Sequence, residues 1–105
     1  MKKILIQRRS LITDYGKYHF VYELMKSTCS FEQEENQEEE FFGIRILQFK
    51  EDGTLFDSEE VIGVTEDRVE AGILFQRFVE GVVMPVHLPE LISDWDYARN
   101  SIFVS

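Results

Sequence analysis

Cysteine is nearly absent from this 105-residue chain, Cys29 being the single thiol. No intrachain disulfide can form, and a lone thiol suits a reducing compartment, so a cytoplasmic setting is expected. Histidine is almost as scarce, with His19 and His87 the two imidazoles, and the six glycines stand apart at positions 16, 43, 53, 63, 72 and 81. Phosphate-cradling loops need clustered glycines ahead of a helix, which excludes that class of site. Long apolar runs are also missing. Ile4-Leu5-Ile6 ends at Gln7, Arg8 and Arg9, short of the ~7–15 apolar residues of a secretory core, and no later stretch reaches the ~18 of a membrane span. A soluble protein without membrane association is the expectation.

Positive charge is in short supply as well: 11 Lys and Arg face 20 Asp and Glu, a net charge of −9. It is unevenly placed. Residues 1–26 hold six basic and two acidic side chains, a local +4, and the remainder carries −13. A chain of this balance repels phosphate backbones, so nucleic acid is disfavoured and would have to meet the N-terminal segment alone. What the chain does have is apolar bulk. A 44% hydrophobic share with nine Phe, four Tyr and one Trp supports one real core, and the length allows one domain, residues 1–105.

Periodicity places two hairpins before two helices. From Lys3 to Lys26 two strands meet at Thr13-Asp14-Tyr15-Gly16, where Asp14 caps the turn and Gly16 supplies a positive φ. Tyr18, Phe20, Tyr22 and Leu24 alternate with His19, Val21, Glu23 and Met25, which makes the even-numbered side the core side. In the first strand Ile4 and Ile6 are out of phase with Leu11 and Ile12, which calls for a bulge or two short strands. Residues 30–40 read as a flexible acidic linker, because Glu32, Glu34, Glu35, Glu38, Glu39 and Glu40 repel one another and no apolar residue stands between them.

Hairpin two runs from Phe41 to Val64 around Asp52-Gly53, read as a two-residue type I′ turn. That register sets Arg45 opposite Glu60, Phe49 opposite Phe56 and Ile44 opposite Val61. Both faces carry apolar groups: Leu47, Phe49, Phe56 and Ile62 on one, Phe42, Ile44, Ile46, Leu55 and Val61 on the other. A sheet with helices on one side and a partner or loop on the other fits this pattern. Next comes a helix with Thr65 as N-cap and Gly81 as its closing residue, burying Ala71, Leu74, Phe75, Phe78 and Val79. Val82 to Val86 reads as an extended edge strand because of Pro85. A last helix from about Pro89 aligns Leu88, Leu91, Ile92 and Trp95, with Arg99 over the Trp95 ring. The fold class is thus α+β, a mostly antiparallel sheet of two hairpins packed on two amphipathic helices.

No catalytic, cofactor-binding or metal-ligating constellation emerges. Cys29 sits just before the acidic run, which disfavours its thiolate. His19 and Glu23, four apart on a strand, stand ~13 Å apart, too far to chelate one ion. The turn around Gly53 offers Gln48 and Lys50 where a calcium loop needs carboxylates. The expectation is therefore a non-enzymatic interaction or regulatory domain, without cofactor, whose partner is another protein or a second copy. Val69 and Ile73 fall on the polar side of the first helix with Gln76 and Glu80, a candidate interaction surface unless the last helix or hairpin one covers it. Two alternatives stand beside it. The six glutamates form a candidate acidic segment that mimics phosphate toward a basic protein, and a small enzyme would rest on His19 or His87.

One resemblance bears on this. Phe42-Gly43-Ile44-Arg45, Asp57 to Val61, Thr65-Glu66-Asp67-Arg68 and the run from Gly81 through Pro85-Val86-His87-Leu88-Pro89 to Asp94 resemble a family of short, uncharacterised proteins of clostridial-type Firmicutes. The similarity covers roughly the last two thirds of the chain. It implies a domain of unknown function in a bacterial cytosol, and supplies no functional residues.

Overall fold

A computed structural model describes the backbone of residues 2–30 and 38–101, and the side chains of residues 2–28 and 39–98. Hairpin one joins β1 (Lys2–Thr13) to β2 (Gly16–Ser30). Its turn is closed by Thr13 rather than Asp14: the Thr13 hydroxyl donates to the Gly16 carbonyl at 2.9 Å and accepts from the Tyr15 amide at 3.2 Å. A hydroxyl on the residue opening a turn reaches both groups, and Asp14 stays exposed. Gly16 takes the expected positive φ, 128°. The phase change in the first strand resolves as a bulge between Lys3 and Leu5, with β1 continuous across it. Both Ile4 and Leu11 then pack toward the core.

Hairpin two joins β3 (Glu38–Lys50) to β4 (Leu55–Thr65), and the four strands form an antiparallel meander in the order β1-β2-β3-β4. β2 reaches Ser30 and β3 begins at Glu38, so both ends of the segment read as an acidic linker lie in strands, and its residues 31–37 lie outside the described residues. The turn also differs. Gly53 donates to the Lys50 carbonyl and Lys50 to the Thr54 carbonyl, so the loop has three residues with Gly53 at φ 89°. Asp52 supports it by accepting from the Thr54 amide and hydroxyl, and those bonds hold its carboxyl below the usual range.

The extra loop residue pairs Phe49 with Leu55, not with Phe56. A bulge then admits Phe56 as an unpaired residue and restores the earlier phase, so that Arg45 faces Glu60 and Ile44 faces Val61. As a result Leu55 and Phe56 exchange faces relative to expectation, and the Phe56 ring meets Tyr18 at 5.4 Å. Toward its other end β4 bends again across Gly43. A Cβ there would stand 2.7 Å from the Val61 carbonyl oxygen, so only glycine lets the two backbones come this close.

Both helices pack on the even-numbered side of β2 and β3. α1 (Arg68–Glu80) is capped by Asp67, whose carboxylate accepts from the Val69 and Glu70 amides, rather than by Thr65. Thr65 is the buried last residue of β4, and its hydroxyl accepts from Asp67 and donates to Glu70. The cap thus lies two residues later because the strand runs on. At the far end Gly81 is right-handed, and Val82 takes the left-handed conformation at φ 48°. The edge strand expected at Val82–Val86 is absent. Met84 is extended, but Pro85–His87 winds into one 3₁₀ turn that leads into α2 (Leu88–Ser101). Proline's fixed φ suits a first helical turn as well as a strand edge, which is why the segment misreads.

The core joins Phe20, Tyr22, Leu24, Phe42, Ile44 and Ile46 from the sheet to Ala71, Leu74, Phe75, Phe78 and Val79 of α1 and Leu88 and Ile92 of α2. Burial of each large side chain contributes ~1.5–3 kcal/mol. Trp95 packs on the rim of this cluster, and Leu91, at 36% exposed, turns outward. The contact expected from Arg99 lies outside the residues whose side chains are described. Sheet and helices together are 18 Å thick along the shortest axis, about one layer of each.

Candidate interaction face

The odd-numbered side of β2 and β3 meets no described helix. Three ladder rows cross it from β1 to β4: Ser10, His19, Phe49 and Leu55; Arg8, Val21, Leu47 and Ser58; Ile6, Glu23, Arg45 and Glu60. Val21, Leu47 and Phe49 are half-buried at the centre, and Ile6, Leu55 and Ile62 are exposed around them. Alternation along β2 and β3 puts Val21, Glu23, Arg45, Leu47 and Phe49 here, since a side chain next to a core position must point away from it, and the longer loop with its bulge adds Leu55.

An ion group is set among these apolar residues. Glu23 is only 2% exposed, although it sits on the uncovered side. Its Oε2 accepts from Lys3 Nζ at 2.7 Å, and its Oε1 accepts from both Nε and Nη2 of Arg45 at 2.7 Å. Burial alone pushes this carboxyl up. The hydrogen bonds and charges of Lys3 and Arg45 outweigh it, and the net result lies below the ordinary carboxylate range. Glu60 stands on the far side of Arg45, and its buried Oε1 has no hydrogen-bond partner among the described residues. Across the face, then, Lys3 and Arg8 put positive charge on β1, and Glu60 puts negative charge on β4.

The residues singled out from sequence lie elsewhere. Val69 and Ile73 are 70% and 52% exposed on the outer side of α1, where neither α2 nor hairpin one covers them. Gln76 and Glu80 continue the same side, joined by a 3.4 Å hydrogen bond. Of the acidic segment, Glu32, Glu34 and Glu35 fall outside the described residues. Glu38 opens β3, Glu39 and Glu40 are exposed, and Glu40 pairs with Lys26 at 3.2 Å. In register Glu39 stands opposite Cys29 at the end of β2.

The imidazoles are far apart in use. His19 Nδ1 lies 2.9 Å from the Ser10 hydroxyl across the β1–β2 ladder. His87 borders a groove of about 440 Å³ between the Gly81–Met84 connection and α2, with Glu90, Leu91 and Asp94 on its other wall. Among the described residues no three His, Cys, Asp or Glu side chains converge to hold a metal ion, and no helix is long and apolar enough to cross a membrane. Period two in β2 places Glu23 on the outward side, and its ion pairs come from residues far away in sequence. The readable signal was a carboxylate alternating with Val21 and Met25, opposite a strand that carries Arg45.

Fold and face together define a small α+β domain: a four-stranded meander backed by helices on one side, with a mixed apolar and ionic surface on the other. The chain belongs to the DUF6514 family, a family of unknown function whose model matches residues 1–97. The match takes in hairpin one and the acidic segment, and so extends beyond the last two thirds of the chain. No curated protein and no solved structure matches it.

Proposed function

We propose that this protein is a non-enzymatic interaction domain that docks a protein on the uncovered face of its sheet. The observation that supports this reading is the central strip of Val21, Leu47 and Phe49, bordered by exposed Ile6, Leu55 and Ile62 and by the ion group of Lys3, Glu23 and Arg45. Apolar surface with a polar border is the usual make-up of a docking patch, and it is larger here than the pair Val69 and Ile73 on α1. A bacterial cytoplasmic setting goes with the proposal and rests on the lone Cys29 and on the resemblance described above.

The test is affinity capture with three variants run beside the parent. Leu47→Asp should abolish capture of a protein that Ile73→Asp still retains. Loss with Ile73→Asp alone moves the site to α1. Loss after exchanging Glu32, Glu34, Glu35, Glu38, Glu39 and Glu40 for Gln, with Leu47→Asp silent, moves it to the acidic segment. Either result removes the sheet-face reading.

A further inference from the structure

The charge layout of the uncovered face matches its own two-fold image. We propose that the occupant is a second copy of this chain, packed sheet to sheet about a two-fold axis that runs along the strands; the proposal rests on the sheet-face reading above. Such an axis lays β2 of each copy over β3 of the other and β1 over β4. Rows keep their level along the strands. Val21 of one copy then meets Leu47 of the other, and Glu23 meets Arg45, in both directions at once. The Glu23–Arg45 ion pair of each copy becomes half of a four-charge square of alternating sign.

At the borders, the basic β1 of each copy lies over the acidic β4 of the other. Arg8 is one side-chain step along from the level of Glu60, within reach of a guanidinium on a flexible stem. Glu60 carries the negative charge of that border, its Oε1 being buried without a hydrogen-bond partner among the described residues. The alternative axis, across the strands, would set β1 on β1 and β4 on β4 and oppose like charges. Four strands at ~4.8 Å spacing and ~10 residues at ~3.3 Å each give a footprint of about 600 Å² per copy. The pair then buries about 1,200 Å², the lower end of what specific interfaces use. The product is a four-layer sandwich of helices, two sheets and helices.

Arg8→Glu and Glu60→Arg test the pairing, because each alone sets two like-charge contacts into the dimer and their mixture restores two opposite-charge ones. Light scattering after size exclusion, from micromolar to near-millimolar chain, should show the parent as a dimer. Each variant should dissociate with a Kd raised about tenfold, and an equimolar mixture of the two should return to the parent's value. Circular dichroism of each variant checks that the fold is kept, Arg8 being exposed and Glu60 half-buried at the border of the face. A parent that stays monomeric over the whole range overturns the proposal, as does a mixture no tighter than its components. The docking reading fails separately, if Leu47→Asp leaves capture of every protein unchanged.

Discussion

The two faces of one sheet, built from alternate residues of the same strands, have opposite fates. On the helix side Phe20, Tyr22, Leu24, Phe42, Ile44 and Ile46 are each no more than 3% exposed. One residue away along each strand, Val21, Leu47 and Phe49 keep part of their surface in water, and charged groups share the face with them. Apolar content alone does not separate the two sides. What does is that α1 and α2 each have a single broad apolar stripe, so both pack on one side, and the second side keeps surface that folding does not use. Burial on the first side drives folding; the second side leaves Val21, Leu47 and Phe49 partly in water.

The largest effect expected from this contrast is on the covered side. Phe75→Ala, at a residue 1% exposed in the centre of α1, should cost ~3–5 kcal/mol in chemical denaturation. Leu47→Ala on the uncovered side should cost about 1 kcal/mol or less, its side chain being only partly removed from water. Equal costs would break the distinction. Tyr22 comes next. Burial pushes its phenol up to about 12, with Arg9 pulling the other way, and its hydroxyl donates to the Val83 carbonyl at 3.0 Å. A pKa raised in the folded state contributes stability that is complete below the unfolded value near 10 and fades as pH climbs to 12. The parent should therefore lose roughly 2–3 kcal/mol more than Tyr22→Phe between those limits, read from urea midpoints.

Smaller again is the acid limb, set by Glu23 on the other face. Its pKa is lowered, so its contribution is present above the ordinary value of 4.5 and is lost as pH falls below it. Glu23→Gln should cost roughly 1–2 kcal/mol at neutral pH, less than a fully buried pair because Lys3 and Arg45 are partly solvated. It should also flatten thermal stability between pH 5 and 3. A parent whose stability is already flat there would show that the triad is electrostatically idle. The smallest change is expected on α1, where Ile73→Ser should alter stability by about 0.5 kcal/mol or less. A larger loss would mean that the residue is covered after all.

Much of this contrast is legible in the sequence. Period two in Tyr18 to Leu24 and period 3.6 from Ala71 to Val79 assign the core correctly, because alternation is dictated by covalent geometry alone. Arg45 against Glu60 follows from a two-residue turn and holds only because the bulge at Phe56 cancels the extra residue of the actual three-residue loop. Caps and turn lengths are less legible. Thr65, Asp67 and Asp52-Gly53 each have chemistry that suits more than one local structure, and the choice among them depends on how far β4 is held by β3. Glu23 stayed hidden for a different reason: its value comes from Lys3, twenty residues back across a bulge, and from Arg45 on a third strand. No local window contains all three.

The paired irregularities near the tip of hairpin two have a practical consequence. One residue is gained at the loop and the phase is recovered at Phe56, so everything between Phe49 and Leu55 is insulated from the register below. That tip is where a loop exchange is expected to be tolerated. A foreign loop or reporter peptide closed by the same Lys50–Thr54 pair can be spliced there without turning either face of the sheet inside out.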